Sequence, residues 1–173
     1  PNHRDRSRPI EAYADLLWFP TGGGKTEAYL GVAAFAMGVR RLKPNLGDLD
    51  GSRGLAVIMR YTLRLLTLQQ FQRATTLICA MEMIRRENES VWGQEPFALG
   101  LWVGNKVTPG TTDAAKAVIK SLRDGNMGHL GKGSPHQLTS CPWCGCDISP
   151  TRDINVDDTL KRTTIYCGDD YSE

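Results

Sequence analysis

The sequence predicts an α/β fold, an open parallel sheet with helices on both faces, followed by a small cysteine-rich segment. Short apolar runs of the kind that are buried in parallel sheets alternate with helical segments along the first two thirds of the chain. A glycine-rich turn follows the first apolar run, and three of the five cysteines lie within residues 141–146. With 173 residues, 40% hydrophobic and 23% charged, the chain is long enough for one domain with a proper core.

The α/β region is predicted from local patterns. Short apolar runs predict strands over 14–19, 55–59 and 97–103. Apolar residues at spacings of three and four, with capping and stop signals, predict helices over 27–42, 65–86 and 112–123. Pro44 ends the first of these helices, and Thr111 or Thr112 caps the third, with Asp113 in its first turn.

A nucleotide phosphate site is predicted where the first strand meets the first helix. Its residues form one continuous run: Thr21, Gly22, Gly23, Gly24, Lys25 and Thr26. Glycines let backbone N–H groups close around phosphates, and a helix N-terminus adds its dipole. Lys25 is expected to contact the outer phosphates of ATP, and the Thr26 hydroxyl to ligate Mg²⁺. The strict loop has a further glycine at the position of Phe19, so the match to that pattern is incomplete.

Charge and hydropathy exclude several classes of protein. The formal net charge is only +2, so any nucleic-acid-binding surface must be local. No run of eighteen apolar residues occurs, so no membrane span is predicted. Residues 1–12 are polar and charged, which predicts a flexible lead-in rather than a secretory signal. The lack of an initial Met suggests a piece of a longer polypeptide, and the clustered cysteines favour a cytoplasmic protein.

The cysteine-rich segment predicts a structural zinc site. Cys141-Pro-Trp-Cys144-Gly supplies two thiolates from one turn, and a structural zinc ion takes four ligands. We expect Cys167 as the third ligand and a fourth beyond Glu173. Cys146 is the second choice for the fourth position, because its spacing from Cys144 is expected to strain the turn. A C-x-x-C redox pair is the main competing interpretation.

The first strand, the glycine-rich turn and the residues after it resemble motif I of superfamily 2 helicases, in which Pro-Thr-Gly-x-Gly-Lys-Thr is common. That variant does not require the glycine that Phe19 replaces. The resemblance implies a RecA-like P-loop NTPase fold: the first helicase motor domain (partial) over 13–125, followed by a loop and zinc-binding insertion (partial) over 126–173. It also implies ATP and Mg²⁺ as cofactors.

A second stretch is similar to motif Ia of the same superfamily. It matches at Arg64, Leu66 and Gln69, whereas the two positions before Arg64 differ from the usual Pro-Thr. The resemblance implies that Arg60, Arg64 and Gln69 lie near the DNA backbone. The segments 59–73, 101–104 and 141–145 together resemble the helicase-like component of bacterial DISARM anti-phage systems. That likeness implies ATP-dependent DNA translocation or remodelling in phage defence, together with other subunits of a defence complex.

Hydrolysis in superfamily 2 needs an Asp-Glu pair at a strand end and an arginine finger from a second motor domain. The acidic pairs at 157–158 and 169–170 follow no long buried strand, so no catalytic residue is assigned here and the chain alone is expected to be inactive. Two alternatives remain open: a small P-loop nucleotide kinase with a zinc lid, and a non-hydrolytic, zinc-stabilised module that docks DNA or protein.

Overall fold

The computed structural model describes residues 24–46, 49–61, 64–125 and 133–169. Its helices are α1 (Lys25–Leu42), α2 (Arg64–Glu87), α3 (Glu89–Trp92) and α4 (Thr112–Arg123). Its strands are β1 (Asn45–Leu46), β2 (Leu49–Asp50), β3 (Ile154–Asp157) and β4 (Arg162–Ile165). The lead-in over 1–12 and the strand over 14–19 that the sequence predicts lie outside the described residues.

The three long predicted helices are confirmed as α1, α2 and α4. The start of α4 shows why local patterns succeed here. The Thr111 hydroxyl accepts a hydrogen bond from the backbone N–H of Ala114 (3.2 Å), and Asp113 lies in the first turn, where a negative charge is favourable. Val118 and Ile119 are buried on the face that packs inward. Capping and burial therefore agree with the sequence at this helix.

The N-terminus of α1 follows directly on Gly24, which has a left-handed backbone conformation (φ 76°). Glycine adopts this conformation without steric cost, so the chain can turn sharply into the helix. The other end of α1 is tied to the loop that follows β2. There the guanidinium of Arg40 donates to three backbone carbonyls, those of Gly51, Arg53 and Leu55, at 2.7–2.9 Å.

The parallel sheet expected from the sequence is not present among the described residues. Neither 55–59 nor 97–103 forms a strand, so these two strand predictions are wrong. The observed sheets are two antiparallel pairs, β1 with β2 and β3 with β4. Leu55 and Ile58 are 71% and 78% exposed, and Trp102 is fully exposed. An apolar run has the composition of a buried strand, but it becomes one only when a neighbouring strand pairs with it.

Two packed groups of elements result. In the first, α1, α2 and α3 contact one another, and the loop over 93–97 is held against α2. The backbone N–H of Phe97 donates to Glu82 (3.0 Å), while Arg85 donates both to Glu82 (2.7 Å) and to the carbonyl of Gly93 (3.0 Å). In the second group, α4 packs on β3 and β4 around Ile154, which is almost fully buried. This second group carries the cysteines.

Candidate metal centre

The Cys-Pro-Trp-Cys turn forms a knuckle, which we define as residues 141–146. A single antiparallel bridge between Ser140 and Asp147 closes its base. Inside it, the backbone N–H of Cys141 donates to the carbonyl of Cys146 (2.8 Å), and that of Gly145 donates to the carbonyl of Cys141 (2.9 Å). The knuckle therefore has its own hydrogen-bonded frame.

Gly145 explains how two cysteines separated by one residue can face the same point. Its φ of 80° lies in the left-handed region, which a residue with a Cβ adopts only at a cost. The chain turns at Gly145, and the Sγ atoms of Cys144 and Cys146 come to lie 3.2 Å apart. The strain expected from the short spacing is thus avoided by the glycine between the two cysteines.

Cys167 reaches the knuckle by way of the β3–β4 hairpin. The strands pair from Ile154 with Ile165 to Asp157 with Arg162, so the chain after β4 returns to the start of β3. There the backbone N–H of Tyr166 donates to the carbonyl of Asp153 (2.8 Å). Cys167 is the next residue, and its Sγ lies 3.5 Å from that of Cys144 and 3.4 Å from that of Cys146.

An ion pair between exposed Arg152 and buried Asp153 supports this return of the chain. Asp153 is buried; its carboxylate accepts from the guanidinium of Arg152 (2.7 Å) and from the backbone N–H of Ser149 (2.7 Å). Arg152 also donates to the carbonyl of Gly168 (2.9 Å), next to Cys167. These hydrogen bonds, the Arg152 pair above all, hold the pKa of Asp153 below its usual value. Asp153 and Arg152 therefore position Cys167, a role that no sequence motif indicated.

The four sulfur atoms of Cys141, Cys144, Cys146 and Cys167 all lie within 4.8 Å of one another. Zinc–sulfur bonds of about 2.3 Å in a tetrahedron place the sulfurs about 3.8 Å apart. All five cysteines of the chain are free thiols, and Cys79, in α2, lies outside the cluster. The cluster thus has the number, type and spacing of donors that a structural zinc ion takes.

The electrostatics of the cluster also suit a cation. The pKa of the Cys146 thiol is raised to about 12, chiefly by its hydrogen bond with Cys144, then by burial and by Cys167. Crowded thiols resist ionisation because each thiolate repels the next. A bound metal reverses this preference, since a coordinating thiol loses its proton outright. Four neighbouring thiols therefore form a cation site whose affinity rises with pH.

The structure brings together the three cysteines expected as ligands and adds Cys146, the second choice, as the fourth donor. A ligand beyond Glu173 is not needed to complete a set of four. Two histidines upstream of the knuckle, His129 and His136, are further candidate ligands by residue type. His136 is described and lies outside the cluster, whereas His129 lies outside the described residues.

The predicted phosphate site is described only in part. Gly24, Lys25 and Thr26 are seen at the start of α1; Thr21, Gly22 and Gly23 lie outside the described residues. Glu27, in the first turn of α1, pairs with Arg73 of α2. The structure therefore joins the start of α1 to the middle of α2 through a pair that sequence patterns did not indicate.

The residues predicted to lie near DNA are also partly described. Gln69 is exposed on α2, one turn before Arg73, and Arg60 is exposed in the segment that precedes the helix. Arg64 is the first residue of α2, and its side chain lies outside the described part of the chain.

The acidic pair at 157–158 has a structural role in this fold. Asp157 accepts hydrogen bonds from the backbone N–H groups of Thr159 and Leu160, both at 2.8 Å, and so shapes the turn between β3 and β4. Asp158 pairs with Lys116 of α4, which lowers the pKa of the Asp158 carboxyl. Asp157 therefore shapes the β3–β4 turn, and Asp158 ties that turn to α4.

Fold and site together define a mixed helix–strand protein in which a four-cysteine cluster, able to hold a metal such as zinc, joins a knuckle to a β-hairpin. No family model matches the chain. The chain is 42% identical to the DISARM protein DrmA of Bacillus paralicheniformis over 160 residues, which cover 88% of this chain. The resemblance to a DISARM protein that the sequence predicts is thereby confirmed. The chain spans 14% of the length of that curated relative.

No helix in the described ranges combines the length and the apolar character that crossing a membrane requires.

Proposed function

We propose that this chain is the ATP-binding portion of a DNA helicase or translocase of the DISARM type, acting in bacterial defence against phage. The observation that carries the proposal is the 42% identity to DrmA in a chain whose Gly-Gly-Gly-Lys-Thr run opens a helix. The first turn of α1 follows Gly24 directly, so its free backbone N–H groups and helix dipole favour an anion at that point.

Within this proposal the residues have separate roles. The backbone of Thr21, Gly22, Gly23 and Gly24 surrounds the phosphates of ATP, Lys25 neutralises the outer phosphates, and Thr26 ligates Mg²⁺. Although 55–59 and 97–103 are not strands in this chain, we propose that a RecA-like parallel sheet forms in the intact protein, where the rest of the polypeptide can supply partner strands. The exposed apolar side chains of 55–59 support this, because a sheet would bury them.

DNA is the proposed substrate, and Arg60, Arg64 and Gln69 are its proposed contacts at the phosphate backbone. Such contacts position a strand without reading its sequence. Hydrolysis requires an Asp-Glu pair and a second motor domain from the rest of the protein, together with other subunits of the defence complex. A protein acting on phage DNA works in the bacterial cytoplasm, where thiols stay reduced and available to zinc.

Zinc is the proposed occupant of the four-cysteine cluster, with Cys141, Cys144, Cys146 and Cys167 as ligands. Its contribution is folding free energy rather than chemistry, because four thiolates leave no open coordination position. Cys167 comes from a different hairpin than the other three ligands. The ion therefore fastens the knuckle to the hairpin that packs on α4.

The decisive experiment measures ATP binding by the purified protein and its Lys25→Ala variant. We expect Lys25→Ala to abolish detectable binding, because the lysine supplies the charge that the outer phosphates require. Lys43→Ala is the matched control: it removes the same side chain just beyond the other end of α1 and is expected to bind ATP as the wild type does. Equal ATP affinity in the wild type and Lys25→Ala would overturn the phosphate-site assignment.

A zinc-stabilised docking module, the second candidate, is favoured by one observation: four cysteines of this chain lie close enough together to hold a metal ion. It requires DNA binding that ATP does not alter. Measuring DNA affinity with and without ATP and Mg²⁺ separates the two functions.

A further inference from the structure

A cleft of about 410 Å³ separates the knuckle from α2. Three polar side chains of α2, those of Gln72, Arg73 and Thr76, line one wall. The opposite wall is the knuckle itself, including Trp143. The cleft adjoins the metal centre, since Cys141 and Cys144 are among the knuckle residues that line it. Its volume falls in the range of about 300–1,000 Å³ that is usual for small-ligand sites.

The large aromatic side chain of Trp143 is exposed to solvent. It is 62% exposed, and it lies in a turn whose backbone is fixed by hydrogen bonds between Cys141, Gly145 and Cys146. A tryptophan on a fixed backbone has only two side-chain torsions, so it loses little conformational freedom when a flat ligand stacks on it. Nucleobases are flat and stack on aromatic side chains whatever their identity. Trp143 therefore offers a stacking platform at the mouth of the cleft.

The opposite wall supplies a positive group that can change partners. Arg73 pairs with Glu27, but 46% of the Arg73 side chain and 61% of the Glu27 side chain remain exposed. Exposed ion pairs contribute little free energy, so a phosphate can replace the carboxylate at small cost. A guanidinium also binds phosphate in a two-pronged geometry that suits a nucleic-acid backbone.

The cleft keeps its shape because α2 is tied to the chain that enters the knuckle. The side-chain amide of Gln72 donates to the hydroxyl of Thr139 (3.1 Å), just before the Ser140–Asp147 bridge. The platform and the guanidinium are therefore held on facing walls of one site.

We propose that this cleft binds one nucleotide of single-stranded DNA, with its base stacked on Trp143 and its phosphate on Arg73. The inference rests on the proposed function for the choice of DNA as the ligand, and it adds a contact outside the predicted motif. Binding would release the Glu27 carboxylate, which lies one residue after Thr26. The cleft thereby connects DNA occupancy to the start of α1.

The test measures the affinity of the zinc-loaded protein for a fluorescein-labelled oligothymidine by fluorescence anisotropy. We expect Trp143→Ala to weaken binding about 5- to 150-fold, the usual cost of losing one aromatic stacking platform. Trp143→Phe, which keeps a ring, is expected to retain most of the affinity. Trp102→Ala is the matched control, because Trp102 is fully exposed and does not line the cleft.

Substitutions on the α2 wall test the same site without touching the knuckle. Arg73→Ala is expected to weaken oligothymidine binding and to lower its dependence on salt, since one phosphate contact is lost. Glu27→Gln is expected to strengthen binding, because Arg73 loses its competing carboxylate. The control for Glu27→Gln is Glu95→Gln, which removes a similar exposed partner from Arg53 far along the chain.

Each outcome decides between the proposals. If Trp143→Ala and Arg73→Ala keep wild-type affinity and zinc content, the cleft is not a DNA site, while DNA binding through Arg60, Arg64 and Gln69 stands. If the wild-type protein does not bind oligothymidine at all, the cleft and the proposed DNA function both fail. If Trp143→Ala loses zinc, its weaker DNA binding has two explanations. Arg73→Ala then decides whether the cleft binds DNA, because Arg73 lies on α2 and its loss leaves the knuckle unchanged.

Discussion

Replacing Cys146 with Ser is the sharpest perturbation of the metal centre. Cys146 is the one ligand that sequence spacing disfavoured, and the structure places its sulfur 3.2 Å from Cys144 and 3.4 Å from Cys167. Serine has nearly the same shape, but its hydroxyl does not ionise readily and does not replace a thiolate at zinc. Cys146→Ser therefore removes a ligand with little change in packing.

The expected magnitude follows from the number of ligands. Structural zinc sites supply about 10–16 kcal/mol of apparent binding free energy at neutral pH. Loss of an outer-shell partner alone costs about 10- to 100-fold in affinity, so loss of a direct thiolate should cost at least about 100-fold. Since binding of the ion is coupled to folding, the knuckle and the β3–β4 hairpin should also loosen.

Zinc affinity is measured by competition with a chromogenic chelator, and metal content by elemental analysis. Cobalt substitution also reports the number of thiolate ligands, because the thiolate-to-metal charge-transfer band weakens as each sulfur is lost. Cys79→Ser is the matched control: it also removes one free thiol, but from α2, and should keep wild-type zinc affinity. Unchanged affinity and an unchanged cobalt spectrum in Cys146→Ser would refute the four-cysteine assignment and return the fourth ligand to another part of the protein.

Two further predictions concern stability. The pKa of Glu82 is lowered to about 2, chiefly by the Arg85 hydrogen bond, so its contribution is complete above about pH 4.5 and is lost as pH falls toward 2. Glu82→Gln should lower the free energy of unfolding in urea by on the order of 2 kcal/mol at pH 7. The difference from the wild type should be smaller at pH 3, and a difference that does not change with pH would contradict the prediction. In Gly168→Ala, the added Cβ would clash with the carbonyl oxygen of Asp147. We therefore expect the free energy of unfolding to fall by about 1–3 kcal/mol and the zinc affinity to fall as well. Gly31→Ala places its Cβ in open space on α1 and should instead stabilise the protein by up to about 1 kcal/mol. Equal stabilities of the two variants would show that the clash at Gly168 is not the cause.

Local chemistry predicted the helices well. The bounds of α4 follow from the Thr111 cap and the apolar spacing, and α1 ends before Pro44, as a helix should. These signals lie within a few residues of the structure they determine. The β3–β4 hairpin was not predicted, because the strands are only four residues each and carry polar residues such as Asn155 and Arg162. Their pairing depends on packing against α4 rather than on a strong strand pattern.

The metal centre was predicted in part. The Cys-Pro-Trp-Cys spacing indicated two ligands, since both come from one turn. The left-handed conformation of Gly145, which brings Cys146 to the cluster, depends on the hydrogen bonds of the whole knuckle. No sequence motif marks the contacts by which Arg152 and Asp153 position the chain at Cys167, because Arg152 and Gly168 are far apart in the sequence.

The sequence by itself determined the long helices, the run of residues suited to phosphate, the candidate cysteines and the likeness to DrmA. These are properties of short segments, where spacing, capping and side-chain chemistry act directly. Only the tertiary structure decided that Cys146 joins the other three cysteines in one cluster, that Arg73 meets Glu27, and that Trp143 and α2 line one cleft. It also left 55–59 and 97–103 without strand partners, because a strand exists only through hydrogen bonds to another part of the chain.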